Sequence, residues 1–356
     1  MLGRCHGRHG LSRRPVANAP QGAYFPIGSN FSIVVVIHRS GNRAPTKEQR
    51  SMNHQTSRRA VVRTPDGPES IEIVDVPVPD PGWGQVRVRV AAAAINPVDL
   101  DVVSGRLHGL GLVSQTEHTG LGADFSGVVE ATGAGVELAL GTRVAGFVGG
   151  FDRDHGSHAE HLLVDAADIA ALPDGMCPNV AASTPLTLTT AAQIVEILGA
   201  APPEGGRLLV TGAAGGVGAS VVVLAQEQGW QVTGLARPGD EGFVRGLGAG
   251  FVTTPQGGWD AVVDAAAMQE TAMPFVRDGG SFVGVQPGLE PDEERGITVG
   301  AVVSRSDGRL LARLLDRVAD GTVPARIHAT LPLAEVVSAY QLLAKGDVRG
   351  RIVVLP

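Results

Sequence analysis

The chain has 356 residues, 43% of them apolar, and a net charge of −7 from 29 basic and 36 acidic side chains. This length allows two domains of ordinary size. Residues 1–59 carry a local net charge of +9, which leaves −16 for the remainder and argues against a nucleic-acid-binding body. No apolar run approaches the roughly 20 residues that a membrane helix needs, and Cys5 and Cys177 are too few for a disulfide framework. We therefore expect a soluble, cytoplasmic protein without a membrane or nucleic-acid partner.

The first fifty or so residues have no helical or alternating apolar pattern, and they mix Arg, Gly, Ser, Asn and Pro as disordered segments do. We predict that residues 1–58 form a disordered leader outside the fold. An Arg-rich leader with few acids would also suit a transit peptide, but Arg outnumbers Lys 27 to 2 over the whole chain. Translation from Met52 is the simpler alternative.

From Arg59 onward the sequence is typical of short antiparallel strands. Val86, Val88 and Val90 alternate with two arginines, and a period of two with one polar face indicates a half-buried strand. Breaks rich in Pro and Gly separate this strand from others, which we predict at 60–63, 70–74, 124–131, 143–147 and 158–164. These strands predict a small β-barrel-like domain.

After Pro185 the sequence alternates between helices and buried strands. The apolar strands at 208–211, 261–263 and 282–285 lack alternation, as strands covered on both faces do. The remaining predicted elements are helices at 189–198, 216–228, 308–320 and 333–345 and strands at 231–235 and 351–355. This order predicts a doubly wound parallel sheet.

The segment 212–218, Gly-Ala-Ala-Gly-Gly-Val-Gly, lies between a predicted strand and a predicted helix. Gly215 would let the backbone approach a pyrophosphate, and Gly218 would let the helix pack close to the strand. The helix N-terminus would offer free N–H groups to the anion. Ala213 stands where the dinucleotide-binding fingerprint has its first glycine. We predict that this turn holds a dinucleotide through Gly212, Ala213, Ala214, Gly215, Gly216, Val217 and Gly218.

The residue that discriminates between NAD and NADP follows the second strand of such a domain, where NAD-binding sites place a carboxylate. Counting nineteen residues on from Gly218 gives Arg237. A guanidinium there could hold the 2′-phosphate of NADPH, which a carboxylate would repel. We therefore predict NADPH as the cofactor. The alternative for Arg237 is an ordinary solvated surface side chain.

Four stretches together resemble the zinc-independent medium-chain dehydrogenase/reductases of the quinone oxidoreductase type. They are Ala-Ile-Asn-Pro-Val-Asp at 94–99, Gly-Ala-Asp-Phe-Ser-Gly-Val-Val at 122–129, the glycine turn at 212–218, and Val-Arg-Gly-Arg-Ile-Val at 348–353. The resemblance implies a GroES-like β-barrel catalytic domain, a doubly wound parallel-sheet Rossmann domain, a cofactor in the cleft between them, and a homodimer. The corresponding boundaries are 59–182 for the first part of the catalytic domain, 183–318 for the Rossmann domain and 319–356 for the return to the catalytic domain.

The resemblance also implies roles for individual residues. Asn96 matches an asparagine near the nicotinamide end of the cleft, and Asp99 matches an aspartate one turn further on. Asp99 could equally be a carboxylate that braces the loop. Thr190 matches a threonine that contacts the nicotinamide, and Val285, in the strand at 281–286, would flank the nicotinamide.

Zinc ligands are missing from the matching positions. Ala123 stands where zinc-containing relatives have a histidine, no cysteine lies in 96–100, and the four cysteines of a structural zinc lobe are absent from the sequence. His155, His158 and His161 form a cluster in sequence. However, His158 and His161 are three residues apart on an apparent strand and would point to opposite faces. We therefore predict no bound metal.

These features predict an enzyme, an NADPH-dependent reductase of quinones or activated alkenes, with a small-molecule electrophile as its substrate. Asn96 or a backbone N–H would donate to the developing oxyanion, and His108 and His118 are the nearby candidates for a general acid. An enoyl-thioester reductase and a non-catalytic NADPH-binding sensor remain alternatives. A short-chain dehydrogenase is rejected, because Lys345 follows Tyr340 by five residues where that family needs four.

Overall fold

The computed structural model describes residues 55–356, and its first half consists of short strands with three small helices. The helices are α1 (Pro97–Val103), α2 (Arg106–Gly109) and α3 (Pro178–Ala182). The strands are β1 (Thr56–Val62), β2 (Ile71–Pro77), β3 (Gln85–Ile95), β4 (Thr119–Gly120), β5 (Asp124–Thr132), β6 (Arg143–Phe147), β7 (His161–Asp165) and β8 (Ile169–Ala171). The strands β2, β1 and β4 form a small antiparallel sheet in that order.

The alternation in β3 has the predicted cause. Val86 and Val88 are fully buried in the barrel core, whereas Arg89 reaches outward and donates a hydrogen bond from Nε to Glu130 on β5 at 2.8 Å. Beyond Val90 the strand continues to Ile95 as a run of small apolar residues, which is buried because other elements cover both faces. This second half of β3 leads directly into α1.

The second half of the chain forms a six-stranded parallel sheet flanked by helices. Its helices are α4 (Pro185–Leu198), α5 (Gly216–Glu227), α6 (Glu241–Gly246) and α7 (Gly308–Ala319). Its strands are β9 (Gly206–Thr211), β10 (Trp230–Leu235), β11 (Gly250–Val252), β12 (Trp259–Asp264), β13 (Val276–Gly284) and β14 (Thr298–Ala301), in the order β11-β10-β9-β12-β13-β14. Leu208, Leu209 and Val210 are fully buried, as a central strand covered on both faces requires.

The last segment returns to the first half through β15 (Ile327–Pro332), α8 (Val336–Ala344) and β16 (Arg351–Leu355). These strands complete a seven-stranded sheet in the order β15-β16-β3-β5-β6-β8, with β7 also paired to β3. The strand β16 runs antiparallel to β3, and Ile352 lies opposite Ile95. The C-terminal strand is thereby placed beside the end of β3 and the start of α1.

The predicted doubly wound parallel sheet is confirmed, and a domain of mostly antiparallel strands precedes it in the chain. The strand β1 begins at Thr56, three residues before the predicted boundary at residue 59, and Ser57 is fully buried; the domain boundaries themselves stay a prediction. The rest of the predicted leader, residues 1–54, lies outside the described residues. The elements that were not predicted lack a clear apolar pattern or turn motif; they are the helices α1, α2, α3 and α6 and the strands β4, β8, β11, β14 and β15. Within residues 55–356, no helix has the length and apolarity to cross a membrane.

Candidate active site

A cleft of about 300 Å³ opens where the parallel sheet, the end of β3 and the returning C-terminal segment meet. Ile95 and Pro97 line it from the junction of β3 and α1, and Thr187 lines it from the first turn of α4. The glycine turn between β9 and α5 forms a further wall. Because these segments are far apart in sequence, the cleft depends on the packing of both halves of the chain.

The glycine turn has the tight geometry that an approaching phosphate requires. Gly212 has a φ of 60°, in the left-handed region that favours glycine, and Gly215 is the N-cap of α5. A Cβ on Gly216 would lie 2.9 Å from Cγ2 of Thr187 and 3.3 Å from a guanidinium nitrogen of Arg351. Gly212, Ala214, Gly215 and Gly216 line the cleft. The turn therefore exposes free backbone N–H groups at the positive end of a 12-residue helix.

Ala213, the departure from the fingerprint, has a packing explanation. Its methyl group is fully buried, and a Cβ on Gly234 of β10 would lie only 2.5 Å from it. A glycine on the neighbouring strand thus makes the room that the missing glycine of the turn would otherwise provide. Ala213 itself does not line the cleft, nor do Val217 and Gly218.

Gly218 has the predicted packing role. A Cβ there would lie 2.3 Å from the carbonyl oxygen of Gly212, a contact that backbone movement alone can relieve. We expect Gly218→Ala to lower the free energy of unfolding by about 1–3 kcal/mol, measured by urea denaturation. The matched control is Gly242→Ala in α6, where no atom lies within 4 Å of the added Cβ; it should gain about 0.5–1 kcal/mol. Equal stability of the two variants would contradict this account of the turn.

Four arginines line the cleft, although the sequence pointed to one of them. Arg326 lies over the ring of Phe243, 4.2 Å from the ring centre, and Arg349 donates from Nε to the buried Asp240 at 2.8 Å. Arg351 donates to the hydroxyl of Thr187. Asp240 is the one carboxylate among the described residues that line the cleft. This excess of positive charge suits a polyanionic ligand.

Arg237 follows the end of β10, lines the cleft, and has 59% of its side chain exposed. It donates a hydrogen bond to Asp347 at 2.7 Å, and the side chain of Asp347 is 93% exposed. An ion pair this exposed contributes little to stability. A more highly charged anion could therefore replace the carboxylate at Arg237.

Asn96 and Asp99 lie together in a buried polar network beside the cleft. The Asp99 carboxylate accepts from the backbone N–H of Asn96 at 2.7 Å, which supports the bracing alternative for this residue. Nδ2 of Asn96 donates to Oδ2 of Asp124 at 2.9 Å, and Oδ1 of Asp124 accepts from the N–H of Leu186 at 2.7 Å. Oδ1 of Asn96 is buried without a hydrogen-bond partner within the described chain.

Burial dominates the electrostatics of the two carboxyls. It raises the pKa of Asp99 to about 6, against the opposing effects of the Asn96 N–H and of the positive charges of Arg153 and Arg351. It also raises the pKa of Asp124 to about 6, and the charge of Arg351 is the largest opposing effect. Both groups therefore change charge close to neutral pH.

Asn96, Asp99, Thr190 and Val285 all lie outside the cleft lining. The hydroxyl of Thr190 is 2.6 Å from that of Ser304, whereas Thr187, three residues earlier on α4, lines the cleft. Val285 follows β13 and packs against the apolar core of the parallel sheet. The roles of Thr190 and Val285 at the nicotinamide therefore remain predictions. Neither His108 nor His118 lines the cleft.

The residues present do not fit a zinc ion. Ala123 is buried at the position of the missing histidine ligand, and no group of three or more His, Cys, Asp or Glu within 55–356 could hold a metal. The three histidines of the cluster have separate partners, and Nδ1 of His155 lies 2.8 Å from the carboxylate of Asp154. His158 contacts the Tyr340 hydroxyl at 3.2 Å, and His161 contacts Glu130 at 3.3 Å. His158 precedes β7 and is not on the strand predicted for it.

Sequence reasoning missed Arg326, Arg349, Arg351, Asp240 and Asp124 as site residues. Arg349 and Arg351 lie in the 348–353 stretch that carried the family resemblance, so a signal for them was present. The contact between Asp124 and Asn96 follows from the register of β3 and β5, in which Ala94 lies opposite Asp124.

Two family models match the chain. Residues 82–174 match the alcohol dehydrogenase GroES-like domain, and residues 247–354 match a family described as zinc-binding dehydrogenase. The chain is similar to 2-methylene-furan-3-one reductase of Solanum lycopersicum, with 29% identity over 352 residues, 92% of this chain and 87% of that protein. It is 30% identical over 269 residues to trans-enoyl reductase thnE of Trichoderma harzianum, 66% of this chain and 70% of that protein.

Some matched relatives are much longer, and the chain spans 7% of the polyketide synthase component PikAII of Streptomyces venezuelae. Among solved structures, the quinone oxidoreductase from Coxiella burnetii has a TM-score of 0.76 at 24% identity, over 85% of this chain and 100% of that chain. The predicted family and fold are confirmed, and with them an enzyme of the oxidoreductase type. The chain belongs to the medium-chain dehydrogenase/reductase family.

Proposed function

We propose that the protein is an NADPH-dependent reductase of quinones or activated alkenes. The observation that carries the proposal is the cleft, in which a glycine turn at a helix N-terminus and four arginines lie beside the buried pair Asn96–Asp124. These residues fit a dinucleotide phosphate. When bound, the cofactor supplies the hydride, and the chain supplies orientation and electrostatics.

The cleft offers separate groups for the parts of the cofactor. The free backbone N–H groups in the first turn of α5, from Gly216 onward, would hold the pyrophosphate. Arg237 stands where NAD-binding sites have a carboxylate, so it would hold the 2′-phosphate that distinguishes NADPH from NADH. The pair that Arg237 forms with Asp347 is exposed and readily exchanged for this phosphate.

The lining of the cleft also limits the substrate. Its described residues include no His, Tyr, Cys or Lys, so no side chain there is a ready proton donor at neutral pH. The donor set does not fit zinc, which could otherwise polarise a carbonyl. A reductase built in this way needs an acceptor that is already electrophilic. A quinone or a conjugated enone meets that requirement, and a simple ketone does not. The names of the relatives agree with such substrates.

An enoyl-thioester substrate is the second candidate, because the Trichoderma relative is named a trans-enoyl reductase. A pure cofactor sensor is the third. NADPH oxidation should be measured with a quinone, an enone, an enoyl thioester and an unactivated ketone. We expect turnover with the quinone or the enone and none with the ketone. Turnover with the thioester alone would favour the second candidate, and tight NADPH binding without turnover would favour the third.

We further propose that activity requires no zinc, because Ala123 stands where zinc-containing relatives have a histidine ligand and no group of three or more His, Cys, Asp or Glu within 55–356 could hold a metal. Purified protein should contain much less than one zinc per chain by elemental analysis. Turnover should be unchanged after treatment with a chelator. One equivalent of zinc together with loss of activity in the chelator would contradict this prediction.

The proposed soluble homodimer would use the edge of the parallel sheet. The strand β14 lies at that edge and pairs with β13 on one side only, within the described chain. Sedimentation of the purified protein would report the oligomeric state.

A further inference from the structure

We propose that Asp124 is a positioning residue, whose carboxylate orients the Asn96 amide so that Asn96 presents its oxygen, and not its nitrogen, to the bound cofactor. This inference rests on the proposed function, since it assigns a role at the same site. Asp124 itself does not line the cleft.

The geometry is that of a fixed bridge between two walls of the cleft. Asp124 is fully buried, and its two carboxylate oxygens accept from different elements. One oxygen binds the side chain of Asn96, at the junction of β3 and α1. The other binds the N–H of Leu186 in the first turn of α4, a donor that has no partner within its own helix. Asp124 therefore connects the junction of β3 and α1, where Asn96 lies, to α4, the helix that carries Thr187.

The hydrogen bond to Asp124 determines which atom of the Asn96 amide, the nitrogen or the oxygen, is available to a ligand. An ionised carboxylate accepts hydrogen bonds and cannot donate, so the nitrogen of the amide must face Asp124. The oxygen is then left buried, without a hydrogen-bond partner within the described residues. Asn96 itself does not line the cleft, but Ile95 and Pro97, the residues on either side of it in the chain, do. A buried acceptor without a donor is costly. A ligand that brings a donor to this point would relieve the cost.

The substrate cannot be that donor, because quinones and enones carry only acceptors. A nicotinamide nucleotide has donors in its carboxamide and in its ribose hydroxyls. Asn96 is therefore assigned to orienting the cofactor. The expectation that Asn96 or a backbone N–H donates to the developing oxyanion stays a prediction, since one of the two N–H groups of the amide is committed to Asp124 and the other is not.

Charged groups on three other elements surround the bridge. Arg351 on β16 faces Asp124 and Asp99, Asp99 on α1 holds the backbone of Asn96, and Arg153 faces Asp99. Below pH 6, the carboxyl groups of Asp99 and Asp124 are largely protonated and therefore uncharged. The orienting bond is therefore strongest above that pH, where Asp124 is ionised. Turnover should rise with pH through a midpoint near 6.

The test is a double-mutant cycle between Asp124→Asn and Asn96→Ala, read in kcat and in the Kd of NADPH from its fluorescence. Asp124→Asn alone should lower kcat about tenfold, as expected for a lost hydrogen bond to a charged group. In the Asn96→Ala background the same change should lower kcat less than about twofold. Equal losses in both backgrounds would mean that Asp124 acts through stability alone, and would overturn the proposal.

Asp264→Asn is the matched control. Asp264 is also fully buried and also accepts from a side chain and a backbone N–H, those of Thr211 and Gln269, but it does not touch Asn96. Its effect should be the same in both backgrounds. If Asp124→Asn does not fold, Asp124→Glu takes its place in the cycle, because it keeps the charge but displaces the carboxylate from Asn96. Its loss of kcat should again be smaller in the Asn96→Ala background, and an equal loss in both backgrounds would refute the role of Asp124.

Because the Kd of NADPH is measured without turnover, it tests this inference independently of the proposed function. If no electrophile is turned over, the proposed function fails, yet the cycle in Kd still tests the bridge. Coupling in Kd between the two substitutions supports it, and strict additivity overturns it.

Discussion

Arg237→Ala should weaken NADPH binding roughly ten- to a hundredfold, because a charge-assisted contact to phosphate contributes about 1.5–3 kcal/mol. NADH binding should change little, since NADH has no phosphate at that position. Arg326 and Arg349 remain in the variant and keep the cleft positive, so the loss should be selective and not complete. Fluorescence titration with both cofactors measures the two dissociation constants.

Arg245→Ala is the matched control for Arg237. Arg245 lies on α6 and pairs with Glu241 at 2.8 Å, and 56% of its side chain is exposed, against 59% for Arg237. It does not line the cleft. The control removes the same charge and should leave both cofactors bound as in the wild type. Equal weakening of NADPH and NADH in Arg237→Ala would contradict the assignment of this residue to the 2′-phosphate.

Asn96→Ala should lower kcat by about 10²-fold, the scale on which a misplaced reactant slows a reaction. The affinity for NADPH should fall less, by about two- to tenfold, because one neutral hydrogen bond is lost. The effect should be specific to this position, because the Asn96 amide is 2% exposed and its nitrogen is held by Asp124. Steady-state kinetics with an enone, together with NADPH titration, separates the two effects.

Asn179→Ala on α3 serves as the control, because Asn179 is half-buried and lies outside the cleft lining. Its turnover should match the wild type. A loss of NADPH affinity as large as the loss of kcat in Asn96→Ala would show that Asn96 holds the cofactor without orienting it.

Local patterns predicted the elements that have a strong period or a turn motif. The alternation at 86–90 and the apolar run at 208–211 each became a strand, and the glycine turn became the start of α5. Ala213 looked like a defect because its compensation, Gly234, lies on another strand. The residue pattern within one strand and its turn gives no information about which residue of the neighbouring strand packs against it.

The parts of the site that sequence did not predict depend on contacts between distant segments. Arg351 reaches the cleft because β16 pairs with β3, and Asp124 reaches Asn96 because β5 lies on the other side of β3. The same C-terminal segment, which returns to the first half of the fold, also places Arg326 and Arg349 at the cleft. Thr187 and Thr190 are three residues apart on α4 and share a face of the helix. Thr190 lies about 4.5 Å further along the helix axis, where its hydroxyl contacts Ser304, so Thr187 lines the cleft and Thr190 does not.

The most direct measurement of the central claim follows the hydride itself. NADPH carrying deuterium at the transferred position of C4 should be oxidised with a conjugated enone, and the product analysed by NMR. We predict deuterium on the carbon β to the carbonyl, with the carbonyl group intact. Deuterium on the carbinol carbon, from reduction of the carbonyl, would contradict the account, as would the absence of NADPH oxidation with every enone and quinone supplied.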